Sequence, residues 1–221
     1  MSGPQSQHAA MLWESLEDDK VRCLLCGHLC VIPSGKYGFC GVRRNVGGSL
    51  MSLSYSDVVA LNADPIEKKP LFHFLPGTSS LSIATAGCNF QCEFCQNWQI
   101  SQTPRKRQVV GQAISPEQIV TGAADQDCAS ISYTYTEPTV FFELAHDTAR
   151  LAHIHGIKNC FVSNGYMTPL AVKKISTYLD AINVDLKAFR DETYRKIMKA
   201  SLPPVLDCLE ALVKTGIWVE V

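Results

Sequence analysis

The chain has 221 residues, a formal net charge of −1 and 46% hydrophobic residues, enough for one large domain or a domain with a small appendage. So balanced a charge supplies no field that would draw the molecule to nucleic acid or an anionic membrane, and no stretch approaches the roughly 20 apolar residues of a membrane helix. Ten cysteines, with no apolar core of signal-peptide length in residues 1–20, point to a reducing, cytoplasmic setting.

Residues before about 70 are rich in Cys and Gly and show little periodicity. There Cys23-x2-Cys26-x3-Cys30-x9-Cys40, with His28 inside it, places four thiolates in a segment too small to fold on a core of its own. A metal would stabilise it, and four soft ligands suit zinc or an iron-sulfur cluster about equally. The expected division is a metal-binding N-terminal segment over residues 1–70 and a core over residues 71–221. From Leu71 onward short apolar runs alternate with helical stretches, the pattern of parallel strands joined by helices. Strands are expected at 81–86, 129–135, 157–162, 181–185 and 217–221. Helices are expected after Ser115-Pro116-Glu117-Gln118 and Thr168-Pro169, which carry cap and proline signals, and over 138–155, where Val140, Phe141, Leu144, Thr148 and Leu151 make one stripe. Arg105-Lys106-Arg107, the only dense basic run, reads as a solvated loop. Cys128, Cys160 and Cys208 read as small core residues.

Directly after the first expected strand comes Gly87-Cys88-Asn89-Phe90-Gln91-Cys92-Glu93-Phe94-Cys95, with the spacing Cys-x3-Cys-x2-Cys. An iron-sulfur cluster with four irons usually takes four thiolates, so three together leave one iron open to another ligand. Cys92 and Cys95 also have a zinc spacing, but zinc ribbons bring a second pair at comparable distance, and the next cysteine is Cys128. Other polar residues follow the later strands: Glu137, then Ser163 and Asn164, then Asp185 and Lys187. The C-terminal ends of strands are where a β/α barrel builds its active site.

These features resemble the radical S-adenosylmethionine (radical SAM) superfamily. Together with Asp64-Pro65-Ile66-Glu67-Lys68-Lys69-Pro70-Leu71-Phe72-His73-Phe74, Cys95-Gln96-Asn97-Trp98, Tyr133-Thr134-Tyr135-Thr136-Glu137-Pro138 and Asp185-Leu186-Lys187, they look like its pyruvate formate-lyase activating enzyme-like branch. More narrowly, they resemble the radical SAM enzyme of the AmmeMemoRadiSam system. The resemblance implies a partial (β/α) barrel with a Cys-rich N-terminal segment, and a barrel ending at a fifth strand suggests truncation. It implies a [4Fe-4S] cluster on Cys88, Cys92 and Cys95, S-adenosylmethionine (SAM) as cosubstrate, and a 5′-deoxyadenosyl radical that abstracts hydrogen from a substrate such as a glycyl residue of a partner protein.

Carried over by position, Phe94 would contact the adenine, and Glu137 with its preceding backbone would bind the SAM amino group. Tyr135-Thr136 replaces the two glycines usual before that glutamate, and glycine permits a close backbone approach that tyrosine hinders. Ser163 and Asn164 would meet the ribose or carboxylate. Val162 stands where activating enzymes often have an acidic residue, so a cation site of relatives is not expected. Asp185 and Lys187 would be the catalytic pair on the SAM and substrate side. Similar cysteines precede the core in this family, which makes Cys23, Cys26, Cys30 and Cys40 a second metal centre, zinc or iron-sulfur. An electron donor protein is an implied partner. The rival reading is a zinc-binding interaction module with no SAM chemistry.

Overall fold

A computed structural model of the chain describes residues 8–106 and 111–221. The strands are β1 (His8–Ala9), β2 (Trp13–Ser15), β3 (Val21–Cys23), β4 (Val31–Ile32), β5 (Arg43–Val46), β6 (Ser49–Ser52), β7 (Asp57–Pro65), β8 (Ser79–Thr85), β9 (Gln112–Ala113), β10 (Ser130–Tyr133), β11 (Lys158–Ser163), β12 (Ala181–Val184) and β13 (Trp218–Glu220). The α-helices are α1 (Trp98–Ser101), α2 (Pro116–Asp125), α3 (Phe142–Ile154), α4 (Pro169–Ile175), α5 (Asp191–Thr193) and α6 (Pro203–Val213). A seven-stranded sheet runs in the order β13-β12-β11-β10-β8-β7-β9. Its strands β8, β10, β11, β12 and β13 are parallel. They lie side by side in chain order, without the reversal that marks a doubly wound sheet.

The two faces of this sheet differ because successive residues of a strand point to opposite sides. Leu81, Ile83, Ile131, Tyr133, Phe161 and Ile182 are buried in the main core, which they share with the helices. The alternate positions are small or polar: Ser80, Ser82, Ser130, Ser132, Cys160 and Ala181 are also buried. There Ser80 Oγ and Ser132 Oγ lie 2.6 Å apart. The five expected parallel strands are therefore present; β8, β10, β11 and β12 are largely buried on both faces, as inner parallel strands are, while β13 at the sheet edge is partly exposed.

The helix starts follow the expected signals. Ser115 and Gln118 form a reciprocal capping box on α2, and the Thr168 hydroxyl accepts from Ala171 N at 3.2 Å to start α4. The stretch expected as one helix opens instead with a 3₁₀ turn, Pro138–Phe141, before α3. Glu137 caps that turn, and Pro138 supplies no N–H to continue a ladder backward.

The division expected at residue 70 does not coincide with the structure. Strand β7 lies before it, yet it pairs antiparallel with β8 over most of its length and belongs to the same sheet as the core. The residues before it form two three-stranded antiparallel sheets, β1-β6-β5 and β2-β3-β4, whose apolar residues Val21, Leu25, Ile32, Val42 and Leu50 join the same core as the helices. A segment too small to bury its own apolar residues has borrowed a core from its neighbour. The strongest tie is the buried bidentate pair from Arg43 on β5 to Glu143 on α3, both bonds 2.7 Å. Glu143 Oε1 also accepts from Met11 N at 2.7 Å.

Candidate functional site

Cys88, Cys92 and Cys95 lie on the loop that leaves the C-terminal end of β8. Gly87 opens the loop at φ +119° and packs so closely that an added Cβ would come within 3.1 Å of Val42. The loop hangs from a π-helical turn, Tyr194–Met198: Gln91 N donates to Met198 O at 2.8 Å and Glu93 N to Ile197 O at 3.1 Å. At its far end Asn97 Nδ2 donates to the carbonyl of Tyr135 at 2.7 Å.

All three cysteines line one cavity of about 560 Å³, together with Phe94, Glu137, Asn164, Asp185 and Lys187. That volume suits a ligand site. The wall is assembled from the loops after β8, β10, β11 and β12, so consecutive parallel strands present their C-terminal ends to one space. Burial and then the nearby Glu137 carboxylate push the Cys88 thiol well above its ordinary pKa; burial likewise raises that of Cys92. Thiols kept protonated in this way release their protons when a metal binds.

Glu137 is 1% exposed, and its carboxylate is held on several sides. Oε1 accepts from Thr139 N at 3.2 Å, Thr139 Oγ1 at 2.6 Å and Ser163 Oγ at 2.8 Å. Oε2 accepts from Asn164 N at 2.8 Å. Burial raises its pKa despite these donors, of which Thr139 lowers it most. Ser163, expected to meet the ligand directly, instead turns its hydroxyl to Glu137 and accepts from Gly165 N at 3.1 Å. It therefore orients the carboxylate. Asn164 does reach the cavity, with Nδ2 bonded to Asn89 Oδ1 at 2.7 Å.

The tyrosine that replaces a glycine adopts a glycine-like conformation. Tyr135 has φ +61°, in a region that costs an L-residue roughly 1–2 kcal/mol. Three contacts hold it there. Its hydroxyl donates to Asp64 Oδ2 at 2.7 Å, its carbonyl accepts from Asn97, and Lys69 Nζ lies 4.7 Å from its ring centroid. Lys69 is only 2% exposed and also donates to Asp64 Oδ2 at 2.8 Å. The Lys69 bond is the main cause holding the Asp64 carboxyl far below the usual carboxylate range. Lys68, Lys69 and Tyr135 belong to the cavity wall. Sequence reasoning gave no role to Asp64, Lys69 or Asn97, although the run from Asp64 to Phe74 was noted.

Lys187 donates to Asp185 Oδ2 at 2.9 Å. Burial works against its charge, but Asp185 and the other nearby anionic groups outweigh it and leave the ammonium above its ordinary pKa. Phe94 is 58% exposed and stands between this cavity and a second one past β12 and β13, lined by Phe72, Asn183 and Glu220 as well.

Cys23, Cys26, Cys30 and Cys40 line a separate, much tighter cavity of about 20 Å³. The segment docks on the loop after β11 through Gly27 N to Tyr166 O at 2.9 Å and Thr168 N to Leu25 O at 3.0 Å. Arg105 was expected in a solvated basic loop, and Arg107 lies outside the described residues. Arg105 is instead a half-buried clip between the two cysteine groups. Its guanidinium donates to the carbonyls of Cys88 at 2.9 Å and Phe90 at 3.3 Å, and to that of Phe39, whose ring it overlies. Cys128, Cys160 and Cys208 are buried as expected.

The donor set fits an iron-sulfur cluster at Cys88, Cys92 and Cys95. Three thiols meet one cavity whose wall holds no fourth cysteine, and the remaining room accommodates a further ligand for an open iron. Among the described residues no three Cys, His, Asp or Glu side chains are gathered closely enough to hold a single metal ion. No described helix is long and apolar enough to cross a membrane. Among curated proteins, the chain is 46% identical over 212 residues to the uncharacterized protein MJ0808 of Methanocaldococcus jannaschii, covering 96% of this chain and 62% of that one. The chain thus spans less than two thirds of this relative's length. A solved structure of TYW1 with a lysine-pyruvate adduct bound aligns over 67% of this chain and 54% of its own, at 18% identity and a TM-score of 0.41. Residues 82–221 match the Radical SAM superfamily. The chain therefore belongs to the radical SAM superfamily, which implies a [4Fe-4S] cluster and SAM as its cofactors.

Proposed function

We propose that the chain is the cluster- and SAM-binding part of an enzyme of the activating-enzyme-like branch, with the parallel strands forming one wall of a partial barrel. Convergence of Cys88, Cys92 and Cys95 on a cavity also walled by Glu137, Asn164, Asp185 and Lys187 carries this reading. When bound and reduced, the cluster supplies the electron that cleaves SAM to methionine and a 5′-deoxyadenosyl radical. The protein's own residues bind, orient and shield.

Cys88, Cys92 and Cys95 would hold three irons. Glu137 Oε2, with one protein donor, keeps capacity to accept from an ammonium, and the left-handed turn at Tyr135 brings the backbone before Glu137 to the cavity. Asn164 offers its side chain to the carboxylate or ribose, and exposed Phe94 presents a ring face for adenine. Lys187, held as a cation by Asp185, faces the side where substrate would enter. A glycyl residue of a partner protein is one candidate substrate, and an electron donor protein would reduce the cluster.

The test is anaerobic reconstitution with iron and sulfide, then reduction with dithionite in the presence of SAM. The reading expects an electron paramagnetic resonance signal altered by SAM, with formation of 5′-deoxyadenosine, both abolished when Cys88, Cys92 and Cys95 are replaced by Ala. Reconstituted protein that holds iron but neither responds to SAM nor forms 5′-deoxyadenosine would overturn it.

A further inference from the structure

The run from Asp64 to Phe74 leaves β7 and crosses the face of the sheet opposite the helices. Ile66 and Leu71 pack there with Cys160 of β11 and Ala181 of β12, apart from the main core. The run is pinned along its length. Lys69 N donates to Ile66 O at 2.8 Å, Pro70 O accepts from Asn183 Nδ2 at 3.1 Å, and the Glu220 carboxylate accepts from Phe72 N at 2.9 Å and His73 N at 3.0 Å. Lys68 and Lys69, which line the cavity of Cys88, Cys92 and Cys95, thus stand on backbone tied to β12 and β13 as well as to β7.

The charges of that wall do not balance. Asp185 answers Lys187 one for one, at 2.9 Å. Beside β7, two ammoniums face one carboxylate: Asp64 Oδ1 accepts from Lys68 at 3.1 Å and Oδ2 from Lys69 at 2.8 Å, and Oδ2 takes the Tyr135 hydroxyl as well. The Lys68 side chain is 66% exposed, so water carries its charge, whereas that of Lys69 is 3% exposed. An ammonium has three N–H donors and no acceptor. Lys69 gives one of them to Asp64 and lays its charge over the Tyr135 ring; the others find no acceptor among the described residues. A buried cation is costly unless it is paired and hydrogen-bonded, and the space in front of this one is the cavity.

We infer that Lys69 anchors an anionic group, a carboxylate or a phosphate, on the substrate that shares this cavity with SAM. Charge-assisted bonds of ammonium to such groups are short and strong. The carboxylate of SAM itself belongs at the open iron, on the side of Glu137 and Asn164, whose bonds run to Ser163 and to Asn89 beside Cys88; Lys69 bonds to none of these. A glycyl backbone offers only neutral carbonyls, so Lys69 favours an acid or a phosphate ester over a plain peptide glycine. The inference deepens the proposed function, on which it rests for the identity of the occupant as substrate.

Calorimetric titration of the reconstituted protein, with SAM present, by inorganic phosphate, succinate and neutral N-acetylglycinamide tests the inference. Phosphate or succinate should bind with a Kd below roughly 10 mM, the preferred one telling phosphate from carboxylate recognition, and N-acetylglycinamide should not bind. Lys69→Met keeps an unbranched side chain that packs on the Tyr135 ring, while Lys68 and Tyr135 still serve Asp64. Folded by circular dichroism, this variant should bind the anion roughly tenfold more weakly or worse, the loss of one charge-assisted hydrogen bond, with its affinity for SAM unchanged. Anion binding that is absent from the unmodified chain or equal in Lys69→Met, or preference for N-acetylglycinamide, would overturn the inference. A parallel loss of SAM affinity would overturn it too, by assigning Lys69 to SAM. If Lys69→Met does not fold, acetic anhydride labelling of the unmodified chain, read by mass spectrometry, serves instead: the anion should slow acetylation of Lys69 and leave that of exposed Lys196 unchanged, and no protection of Lys69 would overturn the site. A chain that binds the anion through Lys69, yet neither responds to SAM nor forms 5′-deoxyadenosine, would leave the anion site standing while removing the proposed function.

Discussion

The Tyr135 hydroxyl and the Asp64 carboxylate meet at 2.7 Å, and that bond joins β7 to the turn before Glu137. It explains how a tyrosine occupies a place where glycine would be the ordinary solution: the side chain that makes φ +61° unfavourable is also what anchors it. Tyr135→Phe keeps the ring over Lys69 but loses a charge-assisted bond of about 1.5 kcal/mol or more. Titration of SAM into the reconstituted protein should show roughly tenfold weaker binding. Tyr135→Gly, which relieves the backbone, should bind more tightly than Tyr135→Phe. Equal affinity of Tyr135→Phe and the unmodified chain would show that the bond does not position the turn.

The same carboxylate gives a pH dependence with a defined sign. Lys69, ahead of Tyr135 and Lys68, holds the Asp64 pKa well below its ordinary 3.8. A group depressed on folding stabilises the native state above its unfolded pKa, and that contribution is lost as pH falls toward the folded value. The difference in urea stability between the unmodified chain and Asp64→Asn should therefore be constant above about pH 5 and shrink below about pH 4. A difference independent of pH across that range would mean that Asp64 does not act as an ionised partner.

Arg43 and Glu143 make the buried bond between the N-terminal sheets and α3, at 2% and 0% side-chain exposure. Glu143→Gln leaves a guanidinium inside the protein without its counter-charge, and a broken buried pair costs about 3–5 kcal/mol. The double replacement Arg43→Met/Glu143→Leu removes both charges and should be less destabilised than Glu143→Gln alone. Denaturant midpoints of the two variants decide this. A double variant weaker than the single one would show that the pair contributes net stability beyond mutual compensation.

The parallel strands were legible because each is a short apolar run between helix signals, and the cysteines because Cys-x3-Cys-x2-Cys is a pattern with few alternatives. What escaped the sequence is coupling across distance. Nothing local distinguishes Asp64 and Lys69 from a surface ion pair, since their burial depends on Tyr135, some 70 residues later. Arg105 looked solvated because its neighbours are basic, while the carbonyls it serves belong to loops at Phe39 and Cys88. The resemblance gives Ser163 and Asn164 the same ligand-facing role; in the structure the Ser163 hydroxyl turns to Glu137, and of the two only Asn164 lines the cavity.

Arg105 gives the most direct test of how the two cysteine groups depend on one another. Its guanidinium bridges the carbonyls of Phe39, Cys88 and Phe90 and also pairs through Nε with Gln102 at 2.8 Å. Lysine carries the charge but not the planar fork, so Arg105→Lys cannot serve the carbonyls of Phe39 and Cys88 together. Each lost bond to a charged group is worth about 1.5–3 kcal/mol. The loop carrying Cys88 should then open more often, and iron should pass to a chelator at least tenfold faster from reconstituted Arg105→Lys than from the unmodified protein, with the same iron at the start. Release at the unmodified rate would show that the clip does not restrain either loop.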